Sequence, residues 1–228
     1  MKRNLASALI LCLLSASLAI AEDGFEPLFD GKTLKGWAGK DAFWSVQNGA
    51  ITGKTTPENP TKGNTFLVWR GGELADFELR LKFRIDGGNS GIQYRSEELN
   101  GFVVKGYQAD FDSAGNWAGT LYEERGRGVL AKRGAKVVIQ ADGKKEKAGQ
   151  TNSEKDILAA LKKGDWNEYV ITAKGNHLAQ KINGVVTIDV TDHQEAKRAM
   201  KGILALQLHA GPPMTVQFKD IRVKHYKK

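Results

Sequence analysis

"DFELRLKFRIDGGNSGIQYRSE", residues 76–97, contains two alternating segments of different chemistry. In the first, Phe77, Leu79, Leu81, Phe83 and Ile85 share one face, and Glu78, Arg80, Lys82 and Arg84 the other. Side chains of a strand point to opposite faces with period two, so this is a strand with one buried and one solvated face. A Gly-rich turn follows, and the second segment repeats the period. Ile92 and Tyr94 face one way; Gly91, Gln93 and Arg95 face the other. Its polar face carries an amide and a guanidinium in place of a mixture of Lys and Glu.

The same period runs outward along the chain. "FWSVQNGAITG" reads as strand, Asn48-Gly49 turn, strand, and "HLAQKINGVVTIDV" repeats the device at Asn183-Gly184. "GYQADFD", "GTLYEE", "WNEYVITAKG", "GILALQLHAG" and "MTVQFKDIRVKHY" are further short strands. Two segments read as helical. "NSEKDILAALKKG" has Ser153 and Asp156 at capping spacing and Gly164 as a stop, and "TDHQEAKRAM" offers a short turn of helix. Many short strands with turn signals predict an all-β sandwich or jelly roll with one or two short peripheral helices.

The first 21 residues read as a Sec-type signal peptide. Lys2 and Arg3 precede an apolar run, Leu5 to Leu18, and Ala19-Ile20-Ala21 fits a cleavage site. The run is short for a transmembrane helix, and no second long apolar segment follows. Residues 22–228 are therefore expected to form one secreted or periplasmic domain without a membrane span. The only cysteine, Cys12, lies in the leader, so the mature chain has no disulfides, Cys ligands or Cys nucleophiles. The formal charge is +8, concentrated between Lys132 and Lys147 and at Lys224 to Lys228. Export argues against a nucleic-acid partner, and these clusters read as solvated loops.

Three strands give the clearest functional signal. Gln93 and Arg95, then Gln108, Asp110 and Asp112, then Gln207 and His209 each lie opposite a clean apolar face. Such groups offer paired donors and acceptors in fixed geometry, which suits sugar hydroxyls, while Arg and His can stabilise or move charge. On the concave side of a jelly roll they would converge on one groove. "TLYEERGRG" adds Tyr122 and Glu124 on one face, with Arg125 and Arg127 in a turn. Trp117, in the loop before it, is placed to stack on a sugar ring. Trp37, Trp44 and Trp166 read as core, and His177, His193 and His225 as peripheral. No nucleophile elbow, zinc-protease or Walker A pattern occurs.

The ordered set "FEPLFDGKTLKGW", "FWSVQNGAITG", "DFELRLKFRI", "GGNSGIQYRS", "GYQADFD", "GTLYEE", "DWNEYVITAKGN", "KINGV" and "GILALQLHAGPPMTVQFKDIRVK" resembles the 3-keto-disaccharide hydrolase domain family over essentially the whole mature chain. The resemblance implies a concanavalin A-like jelly roll, export, cleavage of glycosides oxidised at C3, and in some members a divalent metal ion. Many members have Glu where this chain has Gln108, and Gln where it has Asp110.

A 3-keto group acidifies the C2 hydrogen, so cleavage needs a base near C2, donors at the enolate, and an acid at the leaving oxygen. The resemblance and the residue types together nominate His209 or Asp110 as base. Arg95, with a metal on Asp110, would stabilise the enolate. Tyr122 or Glu124 would be the acid, and Gln93, Gln108, Gln207 and Trp117 would hold the sugar. A 3-keto substrate further implies an upstream sugar 3-dehydrogenase. The competing readings are a lectin-like carbohydrate-binding module and, less favoured because Gln108 replaces a carboxylate, an ordinary retaining glycosidase.

Overall fold

The computed structural model describes residues 24–227. The expected leader lies outside them, and no described helix is long and apolar enough to cross a membrane. In chain order the strands are β1 (Glu26–Pro27), β2 (Trp37–Ala38), β3 (Trp44–Gln47), β4 (Ala50–Lys54), β5 (Thr65–Trp69), β6 (Phe77–Asp86), β7 (Asn89–Leu99), β8 (Val103–Asp112), β9 (Thr120–Glu124), β10 (Gly128–Ala131), β11 (Ala135–Ile139) and β12 (Lys145–Gln150). After helix α1 (Glu154–Ala160) come β13 (Asn167–Lys174), β14 (His177–Ile182), β15 (Val185–Asp192), β16 (Ile203–Leu208) and β17 (Thr215–His225).

They form two sheets of a jelly-roll sandwich. One runs β12-β11-β15-β14-β13-β6-β17-β4-β3, with β1 added beside β17; the other runs β10-β9-β8-β7-β16-β5-β2. Phe77 to Ile85 of β6 point inward, as their period requires, and meet Ile92, Tyr94, Tyr107, Ala109, Phe111, Leu204, Leu206 and Leu208 of the second sheet. Phe83 and Phe111 stack across the interface with ring centroids 4.1 Å apart. Each such large apolar side chain contributes about 1.5–3 kcal/mol on leaving water.

The Asn-Gly turns take the left-handed conformation that two-residue hairpins need: φ is 50° and 76° at Asn48-Gly49, and 49° and 84° at Asn183-Gly184. Helix α1 is capped as its sequence predicts, with the Ser153 hydroxyl accepting from the Asp156 N–H. Three readings change. Residues 191–200 are not helical: Thr191 and Asp192 end β15, and a turn follows. The basic stretch 132–147 is not all loop, because β11 pairs in parallel with β15 and β12 forms the sheet edge. Lysines on an edge strand discourage pairing with another chain, so their charge is compatible with strand. Finally, Trp37 and Trp44 are core, but Trp166 is only half-buried and lies under Arg84 and Lys219.

Candidate functional site

The outer face of the second sheet carries the predicted polar wall. Gln93 of β7 pairs across the sheet with Gln108 of β8, and Gln108 with Tyr122 of β9. Gln93 Nε2 donates to Gln108 Oε1 at 2.8 Å, and the Ser96 hydroxyl donates to Gln93 Oε1 at 2.7 Å. Gln207 of β16 completes the row, its Oε1 3.5 Å from Gln108 Nε2. Gly91 makes room for it. A Cβ at 91 would lie 2.4 Å from the Gln108 side chain.

The wall is buried rather than wet, with Gln93 0% exposed. Asn64, just before β5, accepts from the Ala210 N–H at 3.0 Å and donates to Glu124 Oε1 at 3.3 Å. Strands β16, β7 and β8 lie between β5 and β9, so this contact bridges the strands that flank the amide-bearing ones. Beside it, Phe66, Val68, Val104 and Ala205 form a small outer cluster against Phe102, whose carbonyl accepts from the Phe66 N–H. Gln207 Nε2 has no partner among the described residues. A buried donor of that kind needs a ligand hydroxyl or solvent.

Asp110 is the titratable group of this wall. It is 4% exposed, and its Oδ1 accepts from Asn89 Nδ2 and from the Phe111 N–H, both at 3.0 Å. Burial pushes its pKa up to about 7; the bonds from Asn89, Phe111 and Gln108 offset only part of that, and the neighbouring Asp112 charge adds to it. Asp112 accepts the Trp117 N–H at 2.8 Å. His209 lies half-buried just beyond β16, with Nδ1 against the Ala210 carbonyl. A carbonyl only accepts, so Nδ1 is the nitrogen that donates in this contact.

Arg95 does not join Gln93. Its φ is 46°, and the β7–β8 register passes from Tyr94↔Tyr107 to Glu97↔Lys105, a bulge that ends the alternation. Ser96 takes the place beside Gln93. The Arg95 guanidinium, 1% exposed, instead donates to the carbonyls of Ala75, Gly175 and Ala199 and pairs with Asp76 at 2.9 Å. Every side-chain nitrogen is engaged within the protein, so it straps these loops together. Glu123 and Arg127 are likewise used in structure, in a buried cluster with Asp192 and Tyr107.

The donors at Asp110 do not fit a divalent ion. No group of three or more His, Cys, Asp or Glu side chains converges among the described residues, and its Oδ1 already accepts two N–H groups. Alternation does not single out Asn64, Asn89 and Ser96, because each lies in a turn, a strand end or a bulge, where period-two reasoning has no purchase.

Residues 24–224 match the sequence model of the 3-keto-alpha-glucoside-1,2-lyase-like domain. A 3-keto-disaccharide hydrolase of Bacteroides thetaiotaomicron is 34% identical over 97 residues, covering 37% of this chain and 32% of that protein, so the match spans about a third of the relative's length. Among solved structures, a candidate glycosyl hydrolase from Parabacteroides distasonis superposes with a TM-score of 0.58 at 20% identity, over 90% of this chain and 94% of that one. The Bacillus subtilis carbohydrate-binding module CBM66 does so with 0.55 at 15%, over 83% and 95%. At these identities the structural likeness concerns the fold, and the sequence match over residues 24–224 carries the relationship: the chain belongs to the 3-keto-alpha-glucoside-1,2-lyase-like domain family.

Proposed function

We propose that this protein cleaves 3-keto-glycosides, 3-keto-disaccharides among them, by elimination followed by hydration, with Asp110 as the base. The observation that carries the reading is the pairing of a buried carboxylate, its pKa raised to about 7, with a wall of oriented amides. A base poised near neutrality can both take and return a proton, and a binding module needs no such group. The lyase named in the family description and the hydrolase activity of the B. thetaiotaomicron relative agree with this chemistry.

In the proposed reaction, Asp110 removes the C2 proton and the electron pair forms an enolate onto the C3 oxygen. The pair then returns to form the C1–C2 double bond as the C1–O bond breaks. Tyr122, on β9 beside Gln108, gives its proton to the leaving oxygen. Water adds across the double bond, so the net products are a 3-keto-sugar and the released alcohol. Gln207 offers its Nε2 donor to a substrate hydroxyl, and Gln93 and Gln108 hold that amide in place through their own bonds. His209 and Glu124 stand at the margins as orienting groups, and Asn64 links Glu124 to the Ala210 N–H next to His209. The same reading takes residues 22–228 as one exported catalytic domain behind a cleaved leader. Its substrate would come from a dehydrogenase that oxidises a sugar C3 hydroxyl.

Incubation with a 3-keto-glucoside, following the glycal by absorbance and the released alcohol directly, tests this. Turnover by the wild type and its loss in Asp110→Asn are expected. Binding without turnover would mean a carbohydrate-binding module.

A further inference from the structure

We infer that the cavity beside Trp117 is the leaving-group subsite and that it takes a second pyranose ring. The inference rests on the proposed elimination, which fixes where a leaving group must lie. The base acts at C2 and the departing oxygen is on the adjacent C1, so the subsite must begin next to Asp110. On the β7 side Asp110 is opposite Gly91 and the amide wall. On the β9 side it is opposite Thr120, and Thr120 lines a cavity of about 460 Å³ together with Asn116, Trp117, Val129, Lys132 and Arg133. Cross-strand neighbours on one face stand roughly 5 Å apart at Cβ, so the cavity starts within one ring of the carboxylate.

Trp117 is 40% exposed, whereas Trp37 and Trp44 are buried. The exposed indole is available to the cavity that it lines. Its loop is also held rigidly. The Trp117 N–H is bound by Asp112, and its carbonyl accepts from Thr120. Arg133 donates to the carbonyls of Gly115, Asn116 and Ala118 and pairs with Glu154 at 2.7 Å. Tyr122 meets the indole edge-on, with centroids 6.3 Å apart and planes at 87°. This perpendicular contact steadies the indole, and a fixed, exposed aromatic ring suits the C–H face of a pyranose. Asn116 and the exposed Lys132 rim the cavity with donors for the ring's hydroxyls.

The test compares two substrates that share one 3-keto-glucose: a 3-keto-disaccharide and the methyl 3-keto-glucoside. Trp117→Ala should lower the ratio of their kcat/KM values roughly five- to tenfold, chiefly through KM for the disaccharide, and Trp117→Phe should restore part of it. If the ratio is unchanged in a folded Trp117→Ala protein, the subsite is elsewhere, although the elimination would stand. If the wild type cleaves neither compound, the elimination fails, and calorimetric titration with the unreacted pair decides the subsite. Tighter binding of the disaccharide that is lost in Trp117→Ala supports it, and no preference in the wild type overturns it.

Discussion

Asn89 donates its side-chain amide to Asp110 Oδ1 at 3.0 Å, the oxygen that also accepts the Phe111 N–H. The two effects on this carboxyl oppose each other. Burial favours the protonated form, while bonds from N–H donors favour the charged one, and burial wins, at a pKa of about 7. Asn89 therefore sets how much base is present at neutral pH. In Asn89→Ala the donor is lost, and the acid limb of the kcat/KM profile should move up by roughly half to one pH unit. A limb that stays in place would mean that Asp110 is not the group being titrated.

Replacing Asp110 itself separates stability from activity. Its folded pKa is raised, so between the unfolded value near 3.8 and about 7 the folded state binds more protons than the unfolded one. Its contribution is most favourable below that window, and stability is lost as pH rises through it. Asp110→Asn removes the penalty. Urea unfolding at pH 8 should find the variant more stable than wild type, by on the order of a few kcal/mol, with the gain shrinking toward pH 4. Turnover should fall about 10²- to 10⁴-fold. Equal stability at pH 8 would show that the folded protein ionises Asp110 without cost.

The fold and the amide wall were legible because both follow from strict alternation. Phe77 to Ile85 identify one sheet, and the matching parity of Gln93, Gln108 and Gln207 aligns three strands of the other. Strict alternation puts Arg95 beside Gln93, but one left-handed residue reverses the parity, and nothing in "YRSE" announces it. The strands at 135–139 and 145–150 were hidden by lysines, which belong on an edge as readily as in a loop. Asn64 could not be found at all: its importance comes from a link to Glu124, 60 residues away.

Gly91 offers a steric test of the wall. Its φ lies outside the left-handed region, so alanine is compatible with the backbone, yet the new methyl would sit 2.4 Å from Gln108. Gly91→Ala should displace that amide and lower kcat/KM roughly ten- to hundredfold, with the fold retained in the circular dichroism spectrum. Gln108→Ala removes the obstructed side chain, so the double variant should be no worse than Gln108→Ala alone. Additive losses would mean that Gly91 acts on something other than Gln108.

The bonds of Arg95 predict that its replacement is felt in stability before turnover. Arg95→Met keeps much of the aliphatic stem. It leaves the Ala75, Gly175 and Ala199 carbonyls without their donor and Asp76 without its cation. Breaking a buried pair in this way costs about 3–5 kcal/mol, which a urea midpoint reads directly. Asp76 also accepts the Gly175 N–H, so it is not stranded altogether, and the loss should fall toward the lower end of that range. The catalytic consequence should be small. Gln93 keeps its bonds to Gln108 and Ser96, so kcat at a temperature where the variant is folded should lie within about threefold of wild type. A variant with intact stability and a collapsed kcat would return Arg95 to the chemistry.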